Sequence, residues 1–292
     1  MALWFSSGAF NASNAADVLV QAHSLGIQGI ELSSGLKCTD SDLQEIYAQH
    51  AAGAQRFLVH NYFPAPEKPF VLNVAALDAD SLSQSMSMAR NALQIARDLQ
   101  ASFYSIHAGF AARIKPELLG KPQEQAASLH SGDINRDQAY LAMLRNVRTL
   151  AGYAQQLGVD LLLENNVISP LYLQRMPINP LLLTEGKEIC RFFEELACPN
   201  VGLLLDVAHA KVSATALNFD QDDFIDRVAP YVRCLHLSDN DGREDSNQPF
   251  DEKAWFIPHL QKFRHCEIVI EAYRLKPETM QAQQDLMHKV LS

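Results

Sequence analysis

Several large protein classes are excluded by what this chain lacks. No stretch approaches the roughly 18 consecutive apolar residues that cross a membrane. The turn after the first apolar run reads SSGAFNASN, without the GxGxxG of a dinucleotide-binding open sheet. The five cysteines (Cys38, Cys190, Cys198, Cys234 and Cys266) are widely spread and include no CxxC pair. That argues against a disulfide framework or thiolate zinc knuckle and fits a reducing compartment. Basic residues are scarce, with 24 Lys and Arg against 34 Asp and Glu and a formal net charge of −10. An acidic chain is a poor ligand for phosphate backbones, so nucleic acid is not an expected partner. Residues 1–10, MALWFSSGAF, have neither the basic start nor the apolar stretch of a signal peptide. The expectation is a cytoplasmic protein with no membrane partner.

What is present is ample core. At 48% hydrophobic and 20% charged, the 292 residues can bury a large interior. Short apolar runs recur at Leu3–Ser6, Gly29–Leu32, Phe57–His60, Phe103–His107, Asp160–Glu164, Val201–Asp206, Val232–Leu237 and Cys266–Glu271. Most are continuously apolar, as parallel strands covered on both faces must be. Amphipathic stretches such as Ala15–Leu25, Ser81–Leu99, Asp137–Leu157 and Thr184–Leu196 lie between them. Helix-to-strand handovers such as SLGIQGIEL and QLGVDLLLE place Gly after the last helical Leu, where a left-handed cap is favoured, and DLQASFYSI repeats the pattern without Gly. Eight βα units in one chain predict an α/β fold, a (β/α)8 TIM barrel, whose usual length is about 250 residues. No linker divides the chain, so residues 1–292 read as one domain.

Two strand-to-helix connections are long, at about 108–135 and 165–183. Both fall on the carboxyl-end face, where barrel active sites are built, and are expected to form an active-site lid. The second carries Pro170, Pro177 and Pro180, which predicts a packed flap.

The strand ends carry the chemistry. Glu31, His60, His107, Glu164, Asp206, His236 and Glu271 each follow apolar residues. Buried carboxylates and imidazoles are costly unless paired or bound to a cation. The segments SIHAGF, LLLENN, LLLDVAHA and VIEA hold no Lys or Arg to pair with. Glu164, Asp206, His236 and Glu271 are therefore read as ligands of one divalent metal, with Zn, Mn, Mg and Fe all compatible with the oxygen and imidazole donors. Glu31 is either a core ion-pair partner or a substrate contact. His209, three residues beyond Asp206, can face the same ligand. His23, His50, His259, His265 and His288 read as structural or exposed, and His130 is a candidate to reach substrate from the first long loop.

The ordered series GIQGIEL, LVHNYFPAP, YSIHAGF, LLLENN, GLLLDVAHA, CLHLSDNDG and VIEAY resembles the xylose isomerase-like TIM-barrel superfamily over about residues 3–291. That superfamily includes sugar phosphate isomerases and epimerases, ketose 3-epimerases, inosose dehydratases and metal-dependent apurinic endonucleases. The resemblance implies that Glu164, Asp206, His236 and Glu271 match the epimerase metal site, with Glu164 and Glu271 as the acid/base pair. It also implies that His209 contacts substrate, and that His60 and His107 match ligands of a second metal in the endonuclease branch. Asp245 matches a further ligand of that branch, but Asn247 stands where a second His would follow it, and Asn is a poor zinc ligand.

The activity this predicts is metal-dependent isomerisation or epimerisation of a small carbohydrate by proton transfer through an enediolate, with His209, Glu31 and Arg243 on the substrate. The alternative is a metal-dependent hydrolase, phosphodiesterase or dehydratase with two or more ions. A third reading is a non-catalytic sugar-binding barrel, since fold alone certifies no chemistry. No Gly-rich or basic cluster compels a phosphate site, although Arg113, Lys115 and Lys121 are available. A homo-oligomer is compatible with all three.

Overall fold

Each strand pairs in parallel with the next, and the last pairs with the first. The computed structural model describes residues 3–118, 121–129, 132, 134–176 and 178–292; His130 and Pro177 lie outside these. In chain order the elements are β1 (Leu3–Ser6), α1 (Ala15–Ser24), β2 (Gly29–Leu32), α2 (Asp40–Ala51), β3 (Arg56–His60), α3 (Ala79–Asp98), β4 (Phe103–His107), α4 (Pro122–Ser128), α5 (Arg136–Leu157), β5 (Asp160–Glu164), α6 (Pro170–Arg175), α7 (Gly186–Leu196), β6 (Val201–Asp206), α8 (Val207–Leu217), α9 (Gln221–Val228), β7 (Val232–Leu237), β8 (Glu267–Ile270) and α10 (Pro277–Leu291). Among the described residues, eight strands close a single (β/α)8 TIM barrel.

The continuous apolar runs are buried on both faces. Leu161, Leu162 and Leu163 of β5 and Leu203, Leu204 and Leu205 of β6 are all fully buried, each contributing about 1.5–3 kcal/mol of hydrophobic stabilisation. The handovers from helix to strand follow the sequence pattern. Gly26 and Gly158 adopt left-handed φ angles of 67° and 70°, and Gln100 adopts 50° at the position where Gly is absent. A side chain in that region costs about 1–2 kcal/mol, so burial of the adjoining helix and strand outweighs local preference there. Three boundaries differ from the apolar runs, one of them the start of β8 at Glu267, one residue later than expected. β3 starts one residue earlier, at Arg56, and β8 ends at Ile270, leaving Glu271 just past the strand with its N–H donated to Leu237 O at 2.9 Å.

The two long connections are tied to each other above the barrel. Ala111 N donates to Pro180 O at 2.7 Å, and Leu182 N to Gly109 O at 3.1 Å. Asn166 Nδ2 donates to the carbonyls of Ala108, Gly109 and Leu182. Gly109 also lets the first loop pass close to the connection after β3, because a Cβ there would lie 2.4 Å from Ala75 Cβ. Further out, Leu129, Ile168, Tyr172 and Met176 form a second apolar cluster between the loops.

Candidate metal centre

Register brings the rim residues to one level. His107 pairs across to Glu164, and Asp206 pairs across to His236. Glu164 ends β5, Asp206 ends β6, His236 is the fifth residue of β7 and Glu271 follows β8. Their relative exposures are 1%, 0%, 0% and 6%, so water cannot compensate their charges. One donor atom from each of the four lies within 4.8 Å of those of the others. Glu164 Oε2, Asp206 Oδ2 and His236 Nδ1 are buried without a hydrogen-bond partner. Orphaned buried atoms on three of the four residues are what a hard divalent cation satisfies, so this set fits a metal ion.

Two of the candidate ligands, Asp206 and His236, are oriented by a second contact. Asp206 caps α8, its Oδ1 accepting from His209 N at 2.7 Å and leaving Oδ2 to the cluster. Asn165 clamps the same residue, with Oδ1 accepting from Asp206 N at 2.8 Å and Nδ2 donating to Asp206 O at 3.0 Å. His236 Nε2 donates to Glu31 Oε1 at 3.0 Å. That bond turns Nδ1 toward the cluster, 2.8 Å from Glu271 Oε2 and 3.5 Å from Glu164 Oε1.

The electrostatics are those of a cation site. Burial, then the charges of Glu271, Asp245 and Glu164, hold the Asp206 carboxyl well above its usual range despite the pull of His209. Burial acts the same way on Glu164, but His107, His236 and His60 outweigh it and keep this carboxyl well below the ordinary value. Glu271 is likewise lowered: burial opposes, and His236 prevails. His236 is raised well above the normal imidazole value, because Glu271 and Glu31 outweigh burial. A proton retained on Asp206 or His236 would compete with a metal ion for the same side chain.

The other rim residues surround this group. His209 is 5% exposed. Its Nδ1 bonds Asn165 O at 2.8 Å and its Nε2 bonds Asp245 Oδ2 at 3.1 Å, so both ring nitrogens act as donors. Asp206 and Asp245 raise its pKa well above normal in spite of burial. His60 Nδ1 bonds Ser105 Oγ at 3.0 Å and its Nε2 lies 3.5 Å from Glu164 Oε2. His107 Nδ1 is 3.2 Å from the same oxygen, and His60, His107 and Glu164 form a second group able to hold an ion. Glu31 is fully buried behind His236. Arg243 is not brought in: it is exposed, its N–H donated to Asp241 Oδ1 in the turn after β7. Asn247 is buried in a left-handed turn, where its carbonyl accepts from Tyr273 N.

Because Glu31 fixes which nitrogen of His236 faces the ion, Glu31→Gln is expected to weaken divalent-metal affinity by about 10–100-fold. Competition against a chelating dye measures it. Unchanged affinity would assign Glu31 a packing role alone.

A cavity of about 360 Å³ opens over the centre, lined by His60, His107 and Glu271 together with Ser7, Asn61 and Tyr273 among others. A second, of about 600 Å³, lies beside Asp245 between the long loops. Sequence reading missed Asn165 and Tyr273. Their signals were the doubled Asn after Glu164 and the Tyr two residues beyond Glu271.

Fold and site together define a (β/α)8 barrel with a rim cluster suited to a divalent metal. More particularly, the chain belongs to the xylose isomerase-like TIM-barrel family, whose model matches residues 19–286. Comparison with curated protein sequences finds no match. Among solved structures, the D-psicose 3-epimerase of Clostridium cellulolyticum with D-tagatose is similar at 14% identity, 100% coverage of both chains and a TM-score of 0.71. A 3-keto-D-glucoside 4-epimerase of E. coli is similar at 11% identity, 99% and 98% coverage and a TM-score of 0.68. A Thermus thermophilus protein soaked with ZnCl2 is similar at 18% identity, 99% coverage of both chains and a TM-score of 0.63. At these identities the likeness concerns the fold. Among the described residues, no helix is long and apolar enough to cross a membrane.

Proposed function

We propose that this protein is a divalent-metal-dependent isomerase or epimerase of a small sugar or sugar derivative. The observation that carries the reading is the convergence of Glu164, Asp206, His236 and Glu271, three of them with orphaned donor atoms, beneath a cavity of small-molecule size. The names of structural neighbours, among them sugar 3- and 4-epimerases, support the substrate class.

Glu164, Asp206, His236 and Glu271 would hold the metal. When bound, a divalent cation supplies Lewis-acid polarisation of a carbonyl and compensation of the negative charge that develops on it. Glu164 and Glu271, both kept ionised by neighbouring imidazoles, are the carboxylates that take a proton from the carbon beside the carbonyl and return one. His209 would contact a substrate oxygen through Nε2 in exchange for its bond to Asp245, its Nδ1 staying on Asn165 O. Arg243 is left out of this scheme because it lines neither cavity. The tied loops at 108–135 and 165–183 act as the cover that excludes water from the transfer.

A second reading, metal-assisted hydrolysis or dehydration, is favoured by one observation: His60 and His107 form a further ligand group that shares Glu164. Metal content separates the two readings. One equivalent by elemental analysis supports the isomerase, and two or three support the hydrolase. The activity itself is tested by incubating the metal-loaded protein with ketopentoses and ketohexoses, neutral and acidic, in D2O. Deuterium is expected at the carbon next to the carbonyl. No incorporation across the panel refutes the proposal.

A further inference from the structure

We infer that Arg274 forms an anion subsite at the mouth of the cavity, so that the substrate is a sugar derivative with an anionic end group, a phosphate or a carboxylate. This rests on the sugar isomerase reading and narrows it.

The segment after β8 is fastened on two sides. Tyr273 N donates to Asn247 O at 2.9 Å, Arg274 N to Gly8 O at 3.0 Å, and Leu275 N to Ala9 O at 2.8 Å. Arg274 is held at a φ of 50°, a left-handed conformation uncommon for a long side chain. The same conformation occurs at helix ends such as Gln100 and Ala197, so here it fixes the course of the segment and the cavity wall carries the ligand argument.

Arg136, Arg191 and Arg233 pair with Glu188, Glu195 and Asp160, whereas other arginines such as Arg56 and Arg145 have no such partner among the described residues, so what sets Arg274 apart is its place on the cavity wall. Arg274 lines the cavity of about 360 Å³ and makes no ion pair with a described residue. It is the one Arg or Lys among the described lining residues.

The charge layout then orients a substrate. The cavity floor borders Glu271 and the buried carboxylates beyond it, which repel an anion. The wall offers hydroxyls on a fixed framework, with Ser7 Oγ 2.8 Å and Ser6 Oγ 3.1 Å from Ser33 Oγ. A polyol fits this wall, with its carbonyl end over the floor and its charged end at Arg274, whose planar guanidinium matches two oxygens of a phosphate or carboxylate. Loops after the last barrel strands are a common location for such recognition.

The test is isothermal titration of metal-loaded wild type and Arg274→Ala. Inorganic phosphate, D-ribulose with D-ribulose 5-phosphate, and D-fructose with D-fructuronate are the probes. The wild type is expected to bind inorganic phosphate about tenfold or more tightly than the variant, the scale of one charge-assisted contact. It is also expected to prefer one charged sugar over its neutral partner, the preference vanishing in Arg274→Ala. The pair that shows it distinguishes phosphate from carboxylate. Equal binding of charged and neutral partners by wild type, or a preference that survives in the variant, overturns the subsite. If no ketose exchanges a proton with solvent while phosphate binding still depends on Arg274, the isomerase reading fails and the subsite stands. Exchange with neutral ketoses and no dependence on Arg274 overturns the subsite alone.

Discussion

Glu164→Gln and Glu271→Gln are each expected to lower solvent-deuterium incorporation by about 10²–10⁴-fold, the usual contribution of a positioned general acid or base. Both side chains are buried at the floor of the active-site cavity or just behind it. Both are ionised at neutral pH, because neighbouring imidazoles overcome the cost of burial. Gln preserves size and removes the charge that accepts a proton. Each residue is also a candidate ligand, so bound metal is measured on the same samples at saturating metal. A rate loss that persists with metal present belongs to proton transfer, whereas a loss cured by excess metal belongs to ligation. Undiminished exchange in both variants would remove the two glutamates from the chemistry.

Stripping the protein with a strong chelator is expected to abolish exchange and lower the melting temperature, and readdition of a divalent ion should restore both. A ligand present at a hundred times its Kd stabilises the native state by about 2.7 kcal/mol. For a chain of this size that corresponds to a shift of about 5–10 °C. The origin is the crowding around Asp206, whose carboxyl is pushed up by burial and by Glu271, Asp245 and Glu164. The sign with pH follows from the same groups. Asp206 and His236 both retain protons to higher pH than usual, and both must release them to ligate, so affinity rises with pH. Differential scanning calorimetry with and without each ion checks it. A melting temperature indifferent to every divalent ion tried would count against a metal centre.

The barrel was legible because its strands are buried on both faces and so read as unbroken apolar runs. Leu161–Leu163 and Leu203–Leu205 can form little else in chain order between amphipathic helices. The four candidate ligands were legible for a related reason: a charged residue directly after such a run must meet a partner at the rim. Glu31 was less so. Position along a strand does not distinguish a side chain that reaches the cavity from one that stands behind a neighbour, and here the ring of His236 intervenes. The two arginines illustrate the limit. Arg243 and Arg274 both follow a strand by a few residues. The turn at Asp241 leaves the first outside, while bonds to Gly8 and Asn247 fix the segment of the second beside the cavity. Loop hydrogen bonds between distant segments leave no periodic trace in a sequence.

The four candidate metal ligands all come from β5 onward, whereas Ser7, Ser33 and Asn61 extend from the opposite half of the barrel. That uncharged part of the cavity wall is thereby encoded in a different stretch of the chain from the four candidate ligands. Grafting the turns that follow β1, β2 and β3 from a relative should reshape that wall while leaving the four candidate ligands in place.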